Sequence, residues 1–156
     1  MHSGKKTTHR SACPVSLSLE VLGDRWSLLI VRDMMVRAFR SFKQFQESGE
    51  RIATNILADR LRKLESAGII VAEGDPGDGR RSVYRLTERG IDLAPLLLEL
   101  LIWGARHAAE GDPQGPCAAI GAMVQHRAAV LSEVRRRWAE HDDRPLQAAD
   151  GRWLWP

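Results

Sequence analysis

Three groups of side chains carry chemistry that a packed core has no use for. Asn55, Asp59, Arg62 and Lys63 are spaced so that a single helix presents them on one side. A planar amide such as Asn55 can pair bidentately with adenine, and a guanidinium such as Arg62 with guanine or a phosphate. Arg80 and Arg81 follow the turn-rich run Gly74-Asp75-Pro76-Gly77-Asp78-Gly79 and suit a minor groove or its phosphates. Cys13 just precedes a helix start and lies near Arg10, a setting that favours thiolate over thiol.

Patterns for other chemistry are missing. Cys13 and Cys117 lie far apart with no Cys-x-x-Cys spacing, which argues against a disulfide framework and a structural zinc site. His2, His9, His107, His126 and His141 form no i, i+4 pair and no HExxH. The glycine-rich run at 74–79 fits neither a Walker A nor a dinucleotide loop, and no nucleophile elbow is present. The expectation is a non-enzyme with no metal and no cofactor. Cys117 reads as a small apolar filler.

The chain has 156 residues, 44% apolar and 28% charged, which suits one ordinary globular domain with an appended element. No apolar run approaches the roughly 18 residues of a membrane span, and the start of the chain has no secretory pattern. A cytoplasmic protein without membrane contact is expected. The net charge of +3 is matched by Lys5, Lys6 and Arg10, which no acid accompanies in residues 1–12. Overall charge therefore says little about nucleic acid, and local clustering must carry that argument.

The elements that would position these groups can be read from periodicity and punctuation. After the basic tail, Pro14 to Leu22 reads as a short helix with Val15, Leu19 and Leu22 on one side, stopping at Gly23. Asp24 is an N-cap for a core helix through Trp26, Leu29, Ile30 and Met34. Ser41 and Gln44 fit a capping box opening a short helix with Phe42 and Phe45 inward. Residues 54–67 form an amphipathic helix with Leu57, Leu61 and Leu64 as its inward stripe and Gly68 closing it. Residues 69–73 and 82–86 read as strands of a hairpin with a loose tip.

Thr87 caps a long helix to about Glu110, with a kink or break expected at Pro95. Residues 111–116 read as a linker. A final helix is expected over residues 117–140, its apolar stripe packing on the core or on a dimer partner. Trp26 and Trp103 read as core or interface aromatics; Trp138, Trp153 and Trp155 read as packing for the C-terminal extension.

The order helix, short helix, turn, helix, hairpin defines the winged helix-turn-helix, whose second helix enters the major groove. Arg37, Arg40, Lys43, Arg51, Arg60, Arg62 and Lys63 outnumber Glu47, Glu50 and Asp59, a local excess absent from the chain as a whole. Arg60 lies at the edge of the buried stripe and suits an internal ion pair as well as a phosphate. Asp59 beside phosphate is unfavourable unless it accepts from cytosine or orients Arg62 or Lys63. With Asp75 and Asp78 in the wing, it also suits a second reading, a winged-helix module that binds protein without specific DNA contact.

These residues resemble the HxlR-type transcriptional regulators, winged-helix proteins related to MarR. The resemblance begins at Cys13-Pro14-Val15, Leu22-Gly23-Asp24-Arg25-Trp26-Ser27-Leu28-Leu29-Ile30 and Arg32-Asp33 and continues through Phe42-Lys43-Gln44-Phe45. It includes Ile52-Ala53-Thr54-Asn55-Ile56-Leu57-Ala58-Asp59-Arg60-Leu61, Leu64-Glu65-Ser66-Ala67-Gly68-Ile69, Tyr84-Arg85-Leu86-Thr87-Glu88-Arg89-Gly90 and Trp103-Gly104. It implies a homodimer joined by the N-terminal and post-wing helices, a pseudo-palindromic duplex DNA operator, a repressor role, and a small-molecule or redox effector. Cys13 matches a cysteine that some members use as a redox or electrophile sensor; a half-buried interface cysteine is the other reading. Residues 111–156 extend past a typical member.

The expected architecture is mainly α with a small β-hairpin wing, a winged helix-turn-helix with an extra C-terminal helix. Its divisions are a tail at 1–12, a DNA-binding and dimerisation domain at 13–110, a linker at 111–116 and a helical extension at 117–156. Arg40, Lys43, Arg80 and Arg81 are the expected phosphate contacts, and Asn55, Asp59 and Arg62 the expected sequence readers. Ser41, Thr54 and Lys63 complete the candidate set.

Overall fold

The computed structural model describes residues 11–107 and 120–146. The basic tail through Arg10, the expected linker, Cys117, Trp153 and Trp155 lie outside the described residues.

The helix starts obey their caps. Helix α1 (Pro14–Leu22) carries Pro14 in its first turn, where the absent N–H is not needed, and ends at Gly23. The Asp24 carboxylate accepts the N–H groups of Trp26 and Ser27, both at 2.9 Å, and opens α2 (Arg25–Val36). Ser41 and Gln44 close the expected capping box at the head of α3 (Phe42–Gln46). Helix α4 (Thr54–Ser66) comes next, capped by Ala53 without a side-chain bond. Gly68, at φ +70°, takes the left-handed conformation that ends α4 and turns the chain toward the hairpin.

Strands β1 (Ile70–Asp75) and β2 (Asp78–Leu86) pair antiparallel, from Ile70↔Leu86 to Gly74↔Ser82. The tip is tighter than the expected loose loop. Asp75 pairs with Asp78 around Pro76-Gly77, and the Asp75 carboxylate accepts the Gly77 N–H at 2.8 Å. The register steps there, so Gly79, Arg80 and Arg81 are extra residues on β2. A further rung ties the hairpin to the helices: Ser41 bridges Val83, and the Tyr84 N–H donates to the Arg40 carbonyl at 2.7 Å.

The expected long helix is divided into α5 (Glu88–Ile91), capped by the Thr87 hydroxyl, and α6 (Ala94–His107). The break falls at Asp92 and Leu93, which puts Pro95 in the first turn of α6, the place where proline is tolerated. A Cβ on Gly90 would meet the Ile69 carbonyl at 2.2 Å, so only glycine lets α5 lie against the chain entering β1.

Where one C-terminal helix is expected over residues 117–140, the described residues form two, α7 (Ile120–Gln125) and α8 (Arg127–Ala139). They part at His126, whose φ of −110° and ψ of 27° are not helical.

One core joins these elements. Val31, Leu57 and Leu64 are fully buried, with Leu61, Phe45, Ile70, Ile91, Leu98 and Ile102 around them. The extension belongs to this core through Val130, Val134 and Leu146. Among the hydrogen bonds that hold it, the Trp138 indole donates to the Leu86 carbonyl at 2.8 Å, and the Leu146 N–H to the Val36 carbonyl at 2.7 Å. Among the described residues, no helix is long and apolar enough to cross a membrane.

Candidate nucleic-acid interface

Helix α4 is oriented by what it buries. Leu57, Leu61 and Leu64 face α2 and α3, so Thr54, Asn55, Asp59 and Arg62 are left exposed on the opposite side. Arg62 is 75% exposed; its guanidinium is 3.6 Å from the Asp59 carboxylate one turn back and its Nε reaches the Ala58 carbonyl at 3.4 Å. Asp59 lies within ion-pair reach of Arg62 on the open face, and it is also 3.6 Å from Arg60.

The remaining cations of α4 are held from below. Asp24, the α2 cap, lies 3.4 Å from Arg60 and 3.6 Å from Lys63. Burial works against the Asp24 charge, but hydrogen bonds from Ser27 and Trp26 and the field of Arg60 hold its carboxyl below the usual range. Arg60 takes the internal pairing that its edge position allowed. Lys63, expected outward, is half-buried against the same carboxylate.

Arg40, an expected phosphate contact, is largely turned into the fold. Its side chain is 22% exposed, and its guanidinium donates to the carbonyls of Met34 at 2.7 Å and Phe39 at 2.9 Å and to Asp143 at 3.2 Å. Burial lowers its pKa, with Asp143 opposing that effect. Arg40 braces the fold through its Nε and Nη1 groups, so much of its guanidinium is engaged within the chain. Ser41 likewise spends its hydroxyl on the cap of α3, accepting the Gln44 N–H at 3.4 Å.

Lys43 is 80% exposed beside α4's approach, 3.8 Å from Glu47. Arg80 and Arg81 are exposed on the extra residues of β2; Arg81 is 77% exposed and 3.2 Å from Asp78, and Arg80 forms no ion pair among the described residues. Sequence reasoning missed two neighbours. Arg85, on β2, shares Asp143 with Arg40 at 3.7 Å and also reaches Glu73 at 3.4 Å. Arg51, exposed just before α4 at φ +57°, forms no ion pair among the described residues. It counted toward the local excess of charge, which was its one signal.

Cys13 is exposed at the N-cap of α1, and the backbone N–H groups of Ser16 and Val15 lower its pKa. Two apolar strips are also exposed. Val15 and Leu19 on α1 are 67% and 59% exposed, whereas Leu22 on the same side is buried. Leu96, Leu100 and Trp103 form an open stripe on α6 at helical spacing. Among the described residues, no group of three or more His, Cys, Asp or Glu is placed to hold a metal ion.

The arrangement is that of a winged helix-turn-helix, and known proteins share it. A family model described as HxlR-like helix-turn-helix matches residues 21–112. The HTH-type transcriptional regulator Rv3095 of Mycobacterium tuberculosis is 35% identical over 104 residues, 65% of this chain and 62% of its own length. The match therefore spans about three fifths of that relative. The crystal structure of PA1607 superposes with a TM-score of 0.61 at 42% identity, covering 66% of this chain and 70% of that one. The redox regulator HypR in its oxidised form gives 0.54 at 30% identity, covering 64% of this chain and all of that one.

Proposed function

The chain belongs to the HxlR-like helix-turn-helix family of transcriptional regulators, and from that premise we propose that it is a homodimeric repressor of a pseudo-palindromic duplex operator. The carrying observation is the exposed face of α4, where Thr54, Asn55, Asp59 and Arg62 stand clear while the leucine stripe is buried. Two such helices enter successive major grooves roughly 34 Å apart. Asn55 and Arg62 read bases; Lys43, Arg80 and Arg81 contact phosphates. The exposed apolar strips of α1 and α6 support the dimer, because contiguous apolar surface of this kind marks association sites.

Fluorescence anisotropy with the DNA upstream of the protein's own gene, across a salt series, tests this. Saturable binding with a steep salt slope and preference over scrambled DNA is the expected result. Absence of binding at low salt sinks the reading and favours the protein-binding module. Sedimentation of Leu19→Asp and Trp103→Asp tests the interface; both variants should shift toward monomer.

A redox role rests on Cys13, exposed at a helix start that favours its thiolate, together with the resemblance to the redox regulator HypR. Mild oxidation should change operator affinity in the wild type and not in Cys13→Ser. Equal responses remove Cys13 from the mechanism.

A further inference from the structure

The family match ends at residue 112, and the helices beyond it build a cavity that the matched segment cannot form alone. Helices α7 and α8 cover the faces of α2 and α6 and leave a space of about 310 Å³ between them. Its walls include Leu28, Leu29, Leu97, Leu101, Met123 and Leu131. Arg32 is the one charged residue among the described lining, and its guanidinium is already committed to Asp33 at 2.8 Å and Glu50 at 3.0 Å. A ligand there meets apolar surface and no unmatched charge. Pockets of this size and lining accept small molecules, and a charged group would lose its hydration without compensation.

A second cavity, of about 350 Å³, lies on the other side of Met35, Val134 and Leu146, which line both. Its far wall is the base of the wing, with Val71, Arg85 and Leu86, and the braced Arg40. Displacing the shared side chains from the apolar side presses on the Trp138–Leu86 hydrogen bond and on the Asp143 carboxylate that holds Arg40 and Arg85. Side chains pushed off the apolar side move into the second cavity, whose far wall is the wing base, and so alter the packing around Trp138, Leu86 and Arg85.

We propose that the cavity between α2, α6, α7 and α8 binds a small uncharged apolar molecule, about the size of a two-ring aromatic, and that its occupancy is transmitted through the Met35–Val134–Leu146 partition to the wing. The consequence for operator affinity rests on the DNA-binding reading above; the binding and its transmission do not.

Calorimetric titration of the full chain with 1-naphthol, and with 1-naphthoate as charged counterpart, tests the site. One saturable 1-naphthol per chain is expected, with 1-naphthoate weaker by roughly tenfold or more. Leu97→Phe and Leu131→Phe, each checked for an unchanged thermal midpoint, should each weaken 1-naphthol by roughly tenfold or more. The indole N–H resonance of Trp138, assigned with Trp138→Phe, should shift at saturation in the wild type. A lack of saturable 1-naphthol binding overturns the site, whether a second copy or the chain's own residues fill it. Binding indifferent to both fillings also overturns it, and a stationary Trp138 resonance at saturation overturns the transmission. If the ligand binds and shifts Trp138 but no DNA binds, the DNA reading fails and this one stands.

Discussion

Helices α4 and α8 have the same length, 13 residues, and nearly the same plan, yet α4 leaves one arginine, Arg62, only loosely paired on its open face. Each buries an apolar stripe, Leu57, Leu61 and Leu64 in one and Val130 and Val134 in the other. On α8 every arginine has met an acid: Arg127 with Glu99, Arg135 with Asp92, Arg136 with Glu133 and Glu140, and Arg137 with Glu133. On the open face of α4, Arg62 has one loose partner at 3.6 Å, and Asn55 is exposed at the head of the helix. A run of arginines is therefore not the mark of a nucleic-acid surface. In the proposed interface the mark is a cation only loosely paired within its own chain, as Arg62 is.

The largest effect expected from this contrast is in DNA affinity. Arg62→Ala should cost about 1–3 kcal/mol of operator binding, roughly five- to 150-fold. Arg136→Ala on α8, with more arginine around it, should stay within roughly twofold at the same salt. Equal losses in anisotropy titrations would break the comparison.

The helix starts separate next, in stability. Ser41→Ala removes the capping box of α3 and should cost about 1 kcal/mol in denaturant unfolding. His126→Ala at the head of α8, where no side-chain cap bond exists, should fall within about 0.5 kcal/mol of the wild type. A larger loss at His126 than at Ser41 would show that α8 is held by its start and not by its buried stripe.

The smallest effect is in pH dependence. Hydrogen bonds from Arg136 and Arg137 lower the Glu133 carboxyl from 4.5 to about 2. A depressed folded-state pKa contributes stability above the unfolded value, and that contribution is lost as pH falls from about 4.5 toward 2. Thermal midpoints of Glu133→Gln should fall less steeply over this window than those of the wild type, while Arg62→Ala should track the wild-type slope. Parallel curves for Glu133→Gln and wild type would mean that the α8 pairs are not formed in solution.

Much of the fold was legible because its signals are local. The leucine stripe of α4, the Asp24 and Thr87 caps and the Ser41–Gln44 box each involve residues within two turns of one another, and each appears where spacing placed it. The break before Pro95 comes from the chemistry of one residue. The illegible part depends on partners far along the chain. Position on a helix face told which way Lys63 starts, but not that Asp24 would draw its amine inward. Nothing near Arg40 announced that its guanidinium would reach Asp143. The Ser41–Val83 rung and the extra residues of β2 are matters of register, which alternation leaves open when turn residues surround it.

Arg40 and Asp143 are 103 positions apart, and that separation sets an order in time. A chain leaving the ribosome shows its earlier residues first, so the caps, the leucine stripe and the hairpin can all assemble before Asp143 has been synthesised. Closing so long a loop adds an entropic cost that local contacts do not bear. The newborn protein thus carries α4 before it carries the brace behind its wing. The link between Asp143, Arg40 and Arg85 closes only once translation has passed that point, and it separates the finished molecule from the nascent one.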